Sequence, residues 1–381
     1  MTHRRFTLAL VLALSSLPAV RAQEAKRFPA AKHGNGELRY VQGVPVLTVR
    51  GTPAEMGEQF GVLAVKNAPD LDGLHARFLE DSGQKERYPL VLAMGTRLLA
   101  NFPASHRSEI EAAAKAGKSD LGRHVFANTV ADLSSGLGCS TVVVEPGRSK
   151  TGAPLFGRNF DWMPTKGIHE HTLVAVYRGT GKKAFAAVNV TPISGVVSGM
   201  NEAGLCLTIN EIHLRRSKDK APFNWGGTPL LLSFRRVLEE CGTVAEAERL
   251  LRGMERTTSC CLTVCDVTGG AVFEITPKTL AVRPTENGVC CCTNHFRTDE
   301  LSVGNKCWRF DKLAPLYSEK EQLGVTDVFA RLDEVNQGKA TLQAMVFEPR
   351  ARVLHLAYGE GPATKRPPAR LELRPLFEGK E

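Results

Sequence analysis

The sequence contains no apolar run long enough to cross a bilayer as a helix, because the longest one, Phe6 to Leu17, has only twelve residues. It also contains no internal repeat and no low-complexity tract. Lys and Arg exceed Asp and Glu by 49 to 40, but the basic residues are scattered, whereas a nucleic-acid binder concentrates them on one face or helix. The composition is 43% hydrophobic and 23% charged, which excludes a disordered or fibrous chain. These absences indicate a globular protein that does not bind nucleic acid.

The first 22 residues have the pattern of a secretory signal peptide. Arg4 and Arg5 form a positive start, the run from Phe6 to Leu17 is the apolar centre, and a small-residue cleavage site ends at Ala22. We therefore predict export to the periplasm or the extracellular space after cleavage behind Ala22. The alternative is a retained membrane anchor.

The ten cysteines lack the paired C-x2-C spacing of a structural zinc site. The three consecutive cysteines 290–292 fall in an apparent strand, where alternation puts Cys290 and Cys292 on one face and Cys291 on the other. A zinc site that includes His295 is conceivable. Small buried hydrophobes or a strand-to-strand disulfide are the favoured interpretation, and we predict neither a metal nor another cofactor.

The residue pattern of the sequence changes once, near Cys139, from helical to β-rich. Residues 52–135 have a helical pattern that begins with a capping box, in which Thr52 is the N-cap, Pro53 the first helical residue and Glu55 its partner. From Cys139 onward, short β-rich runs alternate with a few helical segments. Strands, then helices, then strands predict an α+β fold with antiparallel sheets.

The boundary between the helical and the β-rich parts of the sequence contains a candidate nucleophile. Cys139 follows Gly138, whose lack of a side chain makes a strained bond before the cysteine sterically possible. Arg158 and Asp161 lie about one hairpin further on, so that they return toward the start of the same strand. A cation beside a thiol lowers its pKa, and a carboxylate can orient an amine. Taken singly, Cys139 is better explained as a buried structural thiol, and the other two residues as a surface ion pair.

Five motifs in order resemble a known group of enzymes. Cys139 with the run Gly157–Trp162 is similar to the N-terminal-nucleophile hydrolases of the choloylglycine hydrolase and acid ceramidase group, and most similar to the acyl-coenzyme A:6-aminopenicillanate acyltransferase family. An N-terminal G-x(5)-G-x(3)-G helix motif, Gly51 to Gly61, favours this family over the bile-salt enzymes, which begin at the nucleophile. The remaining motifs that resemble the family are Gly199–Leu205, Thr293–Phe296 and Trp308–Phe310. The resemblance covers about residues 44–360.

The resemblance implies an αββα sandwich of two antiparallel sheets covered by helices, with Cys139 at the start of a central strand. It divides the chain into a signal peptide, 1–22, a mostly helical pre-nucleophile segment, 23–138, and an N-terminal-nucleophile hydrolase domain, 139–381. The pre-nucleophile segment is expected to pack against the sandwich.

The resemblance also implies a mechanism. Self-cleavage between Gly138 and Cys139 would free the Cys139 α-amine, which can serve as general base for its own thiol. Asp161 would hold that amine and Arg158 would stabilise the thiolate.

Four further residues take part in the site that the resemblance implies. The side-chain amides of Asn201 and Asn294 would donate to the oxyanion of the tetrahedral intermediate. Arg309 and Asn210 would contact the substrate or support these residues.

The expected partners are a small-molecule N-acyl amide, with an acyl thioester as an alternative donor, and the second cleavage product, which should stay associated. The sequence does not distinguish hydrolysis from acyl transfer or one N-acyl substrate from another. A papain-like thiol hydrolase is disfavoured, because no Cys-Gly-Ser-Cys-Trp-like context surrounds Cys139. A non-catalytic binding protein on the same fold is disfavoured because Cys139, Asp161 and Asn294 are all intact.

Overall fold

The computed structural model describes residues 28–133, 138–212, 217–304 and 306–379, so the predicted signal peptide lies outside the described residues, as do Gly136 and Leu137. The strands are β1 Ala31–His33, β2 Gly36–Val41, β3 Val44–Gly51, β4 Gly138–Val144, β5 Leu155–Asp161, β6 Thr172–Gly179, β7 Phe185–Val190, β8 Ser198–Asn201, β9 Cys206–Glu211, β10 Cys260–Cys265, β11 Gly270–Ile275, β12 Leu280–Pro284, β13 Val289–Cys292, β14 Thr341–Glu348, β15 Val353–Tyr358 and β16 Ala369–Glu372. The helices are α1 Pro53–Phe60, α2 Leu71–Asp81, α3 Tyr88–Leu98, α4 Ala104–Ala116, α5 Leu121–Leu133, α6 Leu230–Glu240, α7 Val244–Arg252, α8 Trp308–Leu313, α9 Val325–Asp333 and α10 Leu373–Glu378.

These strands form two sheets. A ten-stranded sheet has the order β1-β2-β3-β6-β7-β8-β9-β10-β11-β12, and a six-stranded sheet has the order β13-β4-β5-β14-β15-β16. Alternate residues of a strand face opposite sides, and the inward-facing ones from both sheets share one apolar layer. That layer includes Val174 and Val176 of β6 together with Val143 of β4 and Met345 of β14.

Helices cover the outer face of each sheet. Outward-facing Leu173 and Tyr177 of β6 pack with Phe60 of α1 and Phe234 of α6. On the other side of the molecule, Val142 and Val144 of β4 pack with Leu313 of α8 and Leu332 of α9. The layers therefore run helix, sheet, sheet, helix, which confirms the expected α+β sandwich.

The pre-nucleophile segment is mostly helical, as expected, but it begins with three strands. The polar residues 31–41 form β1 and β2, and β3 lies inside the large sheet between β2 and β6. The β3–β6 pairing is parallel, while the other pairings between neighbouring strands of these two sheets are antiparallel. A parallel neighbour requires a long crossover, and the helices of residues 53–133 together with the β4–β5 hairpin supply it. Near the C-terminus, residues 369–378 also fold, into β16 and α10.

Local sequence signals set the start of α1. The Thr52 side chain accepts a hydrogen bond from the Glu55 backbone N–H, and the Glu55 carboxylate accepts one from the Thr52 backbone N–H at 2.7 Å. Pro53 opens the helix, where a missing N–H costs nothing. The predicted capping box is thus confirmed.

All ten cysteines are buried and unbridged. Cys290 and Cys292 face the layer between the sheets, whereas Cys291 faces the outer helices, as strand alternation predicted. Among the described residues no group of three or more His, Cys, Asp or Glu side chains is arranged to hold a metal ion. No helix in the described part of the chain is long and apolar enough to span a membrane.

Candidate active site

Cys139 is the second residue of β4 and its side chain points into the space between the sheets. It is fully buried and lies directly opposite Phe160 in the β4–β5 hairpin. The Cys139 sulfur accepts two hydrogen bonds, one from the Arg158 guanidinium at 3.0 Å and one from the Asp161 backbone N–H. A thiol that receives two donors, one of them cationic, is arranged to become a thiolate.

Arg158 is held rigidly in this position. Its Nη1 donates to the Val197 carbonyl at 2.9 Å and to the Ser198 hydroxyl at 2.8 Å, both on the opposite sheet. The guanidinium also lies 5.0 Å from the centre of the Phe160 ring. Because Arg158 is fully buried, its charge acts on the sulfur with little screening by water.

The backbone of Cys139 is clamped by Asn294 and Arg309. The Cys139 N–H donates to Asn294 Oδ1 at 2.9 Å, and Arg309 Nη1 donates to the Cys139 carbonyl at 2.6 Å. Arg309 Nη2 also donates to Asn294 Oδ1 at 2.9 Å, so the two side chains hold each other. The Asn294 amide in turn donates to the Glu211 carbonyl of β9 at 2.8 Å. Arg309 is therefore in direct contact with the candidate nucleophile.

Asp161 lies across the hairpin from Gly138, at the peptide bond that precedes Cys139. Its carboxylate accepts hydrogen bonds from Thr341 Oγ1 at 2.5 Å and from Gln337 Nε2 at 2.7 Å, and Arg309 Nη1 is 3.6 Å away. Sequence reasoning missed Gln337, Thr341 and the Ser198 hydroxyl, since no short motif contains them.

Burial dominates the electrostatics of the uncut chain. It raises the pKa of the Cys139 thiol to about 11, although Arg158 and Arg309 oppose the rise. Burial also raises the pKa of the Asp161 carboxyl, against the hydrogen bonds from Thr341 and Gln337. Before cleavage, the group beside Asp161 is a peptide nitrogen, which cannot act as a base; after cleavage it would be an amine.

The structure does not bring Asn201 to this cluster. Both hydrogens of its side-chain amide are used at the end of α6, where they bond to the carbonyls of Leu238 at 2.9 Å and Cys241 at 2.7 Å. Its Oδ1 accepts from the backbone N–H groups of Ala203 and Leu205. Asn201 thus holds a turn on the outer face of the large sheet, while Cys139 faces the inner side, and the geometry does not support an oxyanion role for it.

Asn210, unlike Asn201, faces the layer between the sheets. It pairs with Cys261 across β9 and β10, and Cys261 faces the inner layer. Asn210 directly precedes Glu211, whose carbonyl is tied to Cys139 through Asn294. Asn210 is completely buried, and neither atom of its amide has a hydrogen-bond partner within the described residues. A buried unpaired amide is costly, so this donor is available to a bound group.

Gly138 does not have the unusual backbone that the sequence suggested. It is the first residue of β4 and is absent from the glycines with positive φ in the described part of the chain. The structure therefore gives no sign of a strained backbone conformation at Gly138.

Three solved structures resemble the chain weakly. They are the Caenorhabditis elegans N-acylethanolamine-hydrolyzing acid amidase ortholog (17% identity, 55% of this chain and 93% of that chain, TM-score 0.44), a variant of the conjugated bile acid hydrolase from Clostridium perfringens (16%, 64% and 93%, 0.45), and penicillin V acylase from Agrobacterium tumefaciens (13%, 59% and 84%, 0.41). No curated protein matches the sequence.

A family model gives the assignment. The model described as acyl-coenzyme A:6-aminopenicillanic acid acyl-transferase matches residues 148–362, which is more than half of the 381 residues. The matched span includes Arg158, Asp161, Asn294 and Arg309, whereas the candidate nucleophile Cys139 precedes it. The chain belongs to this acyltransferase family and is an amide hydrolase or acyltransferase.

Proposed function

We propose that this enzyme is exported, cuts itself between Gly138 and Cys139, and then uses the Cys139 thiol to cleave linear amides of small molecules. The observation that carries the proposal is the set of contacts around one residue. The Cys139 sulfur, nitrogen and carbonyl oxygen are each held by a separate polar group, from Arg158, Asn294 and Arg309 respectively.

Self-cleavage would proceed by an N-to-S acyl shift. The Cys139 sulfur adds to the Gly138 carbonyl carbon, the bond from that carbon to the Cys139 nitrogen breaks, and the nitrogen takes up a proton. Water then hydrolyses the thioester, which leaves a carboxylate on Gly138 and restores the thiol. The freed α-amine of Cys139 becomes the general base for later turnovers.

The same thiol would then attack the carbonyl of an N-acyl substrate. Asn210 and Asn294 are the candidate donors to the oxyanion, because the Asn210 amide has no partner within the described residues and Asn294 contacts the Cys139 backbone. One donor of this kind is typically worth about 3–4 kcal/mol of barrier. The acyl thioester passes to water in a hydrolase or to an amine in a transferase.

A cleft beside the hairpin supports an apolar acyl group in the substrate. Its empty space, including the open mouth, is about 480 Å³, and its walls include Phe78, Phe126 and Trp162. The Trp162 ring lies 5.7 Å from the ring of Phe160, the residue opposite Cys139. Mostly apolar walls are typical of small-molecule sites.

The contacts of the sulfur argue against the papain-like alternative. Its hydrogen-bond partners within the described residues are Arg158 and the Asp161 N–H, and neither is an imidazole.

Export is proposed from the sequence of residues 1–22 alone.

Mass spectrometry of purified wild-type and Cys139→Ala chains tests the proposal. The wild type should give two fragments, the second beginning at Cys139, and should hydrolyse members of an N-acyl amide panel. Cys139→Ala should stay in one piece and be inactive, while Cys139→Ser should cleave slowly. Unchanged cleavage in Cys139→Ala would overturn the proposal. Added amine acceptors and coenzyme A thioester donors then distinguish transfer from hydrolysis.

A further inference from the structure

Gln337 lies over the peptide bond that the proposed self-cleavage breaks. It follows α9 and precedes a short helical turn, Gly338–Ala340. Its side-chain Nε2 donates to Asp161 Oδ2 at 2.7 Å, and its backbone N–H donates to Thr341 Oγ1 at 2.7 Å. Since Thr341 Oγ1 itself donates to Asp161, both ends of Gln337 are tied to the same carboxylate.

The same amide packs against Gly138. A Cβ atom added to Gly138 would meet Gln337 Nε2 well inside contact distance, and it would lie 3.2 Å from the Asp161 Cβ and 3.4 Å from the Gln337 Cδ. Because the backbone of Gly138 is extended and its φ is not positive, other residues could adopt the same conformation. Glycine is therefore required at this position because a larger side chain would collide with Gln337, and not because the backbone conformation excludes other residues.

We propose that Gln337 is a specificity-determining residue for self-cleavage, which accepts only glycine before the nucleophile. This inference rests on the proposed function. The Gln337 side chain is exposed, so a methyl group on residue 138 can push it outward without disturbing the core. The displacement breaks its hydrogen bond to Asp161, and a bond to a charged group corresponds to roughly a ten- to hundredfold change in an equilibrium.

Loss of the hydrogen bond from Gln337 to Asp161 affects the cleavage step itself. When the carbon–nitrogen bond between Gly138 and Cys139 breaks, the nitrogen must take up a proton, and Asp161 is the carboxyl group that lies across the hairpin from this bond. A carboxylate that has lost one of its two neutral donors is less well fixed beside the nitrogen. Through Gln337, a larger residue at position 138 therefore weakens the hold on the Asp161 carboxylate.

Four chains test the coupling: wild type, Gly138→Ala, Gln337→Ala and the double variant. The measured quantity is the rate at which the fragment beginning at Cys139 forms. Gly138→Ala and Gln337→Ala should each cleave at least about tenfold more slowly than wild type, because each loses the hydrogen bond from Gln337 to Asp161. The double variant should cleave within about threefold of Gln337→Ala, since the identity of residue 138 no longer matters once the glutamine is gone. Wild-type cleavage in Gly138→Ala, or a double variant that cleaves a further tenfold or more below Gln337→Ala, overturns the inference.

Two controls isolate the contact. Gly147→Ala adds a methyl group that meets nothing within 4 Å, and Gln322→Ala shortens another exposed glutamine; both should cleave like wild type. In the Cys139→Ala background, thermal unfolding separates slow cleavage from misfolding: Gly138→Ala should lower the melting temperature of a chain with Gln337 more than that of a chain with Gln337→Ala. A wild-type chain that stays uncut contradicts the proposed function and this inference with it. Normal wild-type cleavage with independent, multiplicative losses in the double variant contradicts the inference alone.

Discussion

At the scale of single residues, the contacts of Cys139 set the chemistry of the precursor. Burial raises the pKa of its thiol to about 11 even though Arg158 donates to the sulfur at 3.0 Å. The thiolate is the nucleophilic form, so only a small fraction of the uncut chain is reactive near neutral pH. The proposed self-cleavage would change this balance by converting a neighbouring peptide nitrogen into an amine.

Self-cleavage of the purified precursor should therefore accelerate with pH. The thiolate fraction grows about tenfold per pH unit below its pKa, and this pKa is about 11, so the rate should rise throughout the range from about pH 6 to about pH 9. The fraction cut is followed over time on denaturing gels. Cys139→Ser, whose hydroxyl does not titrate in this range, is the control and should show a flatter profile. A wild-type rate that is constant or falls with pH would contradict the prediction.

The three asparagines that the sequence proposed for the site should separate into two classes. Asn210→Ala and Asn294→Ala should each lower turnover by about 10²–10³-fold with the fold retained, because each removes a donor or clamp at the reacting carbonyl. Asn201→Ala should instead lower the melting temperature, since it leaves the Leu238 and Cys241 carbonyls without their donor. Turnover per folded molecule should then stay near wild type in Asn201→Ala. Steady-state kinetics and thermal unfolding of the three variants provide the comparison, and unimpaired turnover in Asn210→Ala would remove Asn210 from the mechanism.

At the scale of elements, a buried ionic network joins α4 of the pre-nucleophile segment to α6. Arg235 makes a two-pronged pair with Glu109, at 2.7 and 2.6 Å, and binds Glu239 at 2.8 Å. His106 lies 3.0 Å from the other Glu239 oxygen. Although burial opposes it, Arg235 and His106 hold the pKa of Glu239 at about 2. Removing one partner from such a network leaves uncompensated buried charge.

Arg235→Met should accordingly destabilise the uncut Cys139→Ala chain by about 3–5 kcal/mol, because Glu109 and Glu239 lose their common cation. The matched control is Arg236→Met on the same helix, whose pair with Glu240 is about 30% exposed and should contribute about 0–1 kcal/mol. Urea unfolding measures both. Equal effects of the two substitutions would contradict the assignment of the network as a stabilising contact between α4 and α6.

The same network gives a direction for acid sensitivity. The folded pKa of Glu239, about 2, lies below its ordinary value of 4.5. Its contribution to stability is therefore complete above about pH 4.5 and is lost as the pH falls toward 2. The stability difference between the Cys139→Ala chain and the same chain with Glu239→Gln should shrink over that interval, which urea unfolding at a series of pH values would show. A difference that grows on acidification would contradict the prediction.

At the scale of the whole molecule, the two proposed cleavage products share one core. The strand β3 pairs on one side with β2 and on the other with β6, so the first product contributes strands to the interior of the large sheet. Further contacts cross the cut: Asn128 Oδ1 accepts from the N–H groups of Ser194 and Gly195, and Asp132 accepts from the Leu230 N–H. Separation would expose both a sheet edge and its apolar face.

The cut protein should consequently behave as one particle. Size-exclusion chromatography of fully cleaved enzyme should give a single peak that contains both fragments, and only denaturant should resolve them. The control is the uncut Cys139→Ala chain, which should elute at the same volume. A first fragment that elutes alone under native conditions would show that the shared sheet does not hold the products together.

Local sequence signals determined the features that depend on neighbours along the chain. The Thr52–Glu55 capping box spans one helical turn, and the alternation of Cys290, Cys291 and Cys292 follows from the geometry of any strand. Cys139, Arg158 and Asp161 meet because β4 and β5 are consecutive antiparallel strands joined by a short connection. In such a hairpin, position along the chain fixes position in space, and the sequence was sufficient to predict their convergence.

The remaining contacts of the site depend on how the two sheets stack. Asn294 and Arg309 are 155 and 170 residues from Cys139, and no sequence pattern states which strand ends meet across the sandwich. Asn201 and Asn210 both stand beside turn or strand-end signals, but only the register of β8 and β9 determines which of them faces the inner layer. Gln337 reaches Asp161 because β14 pairs with β5. Contacts between distant segments depend on packing and register, which are properties of the assembled core and not of any short stretch of sequence.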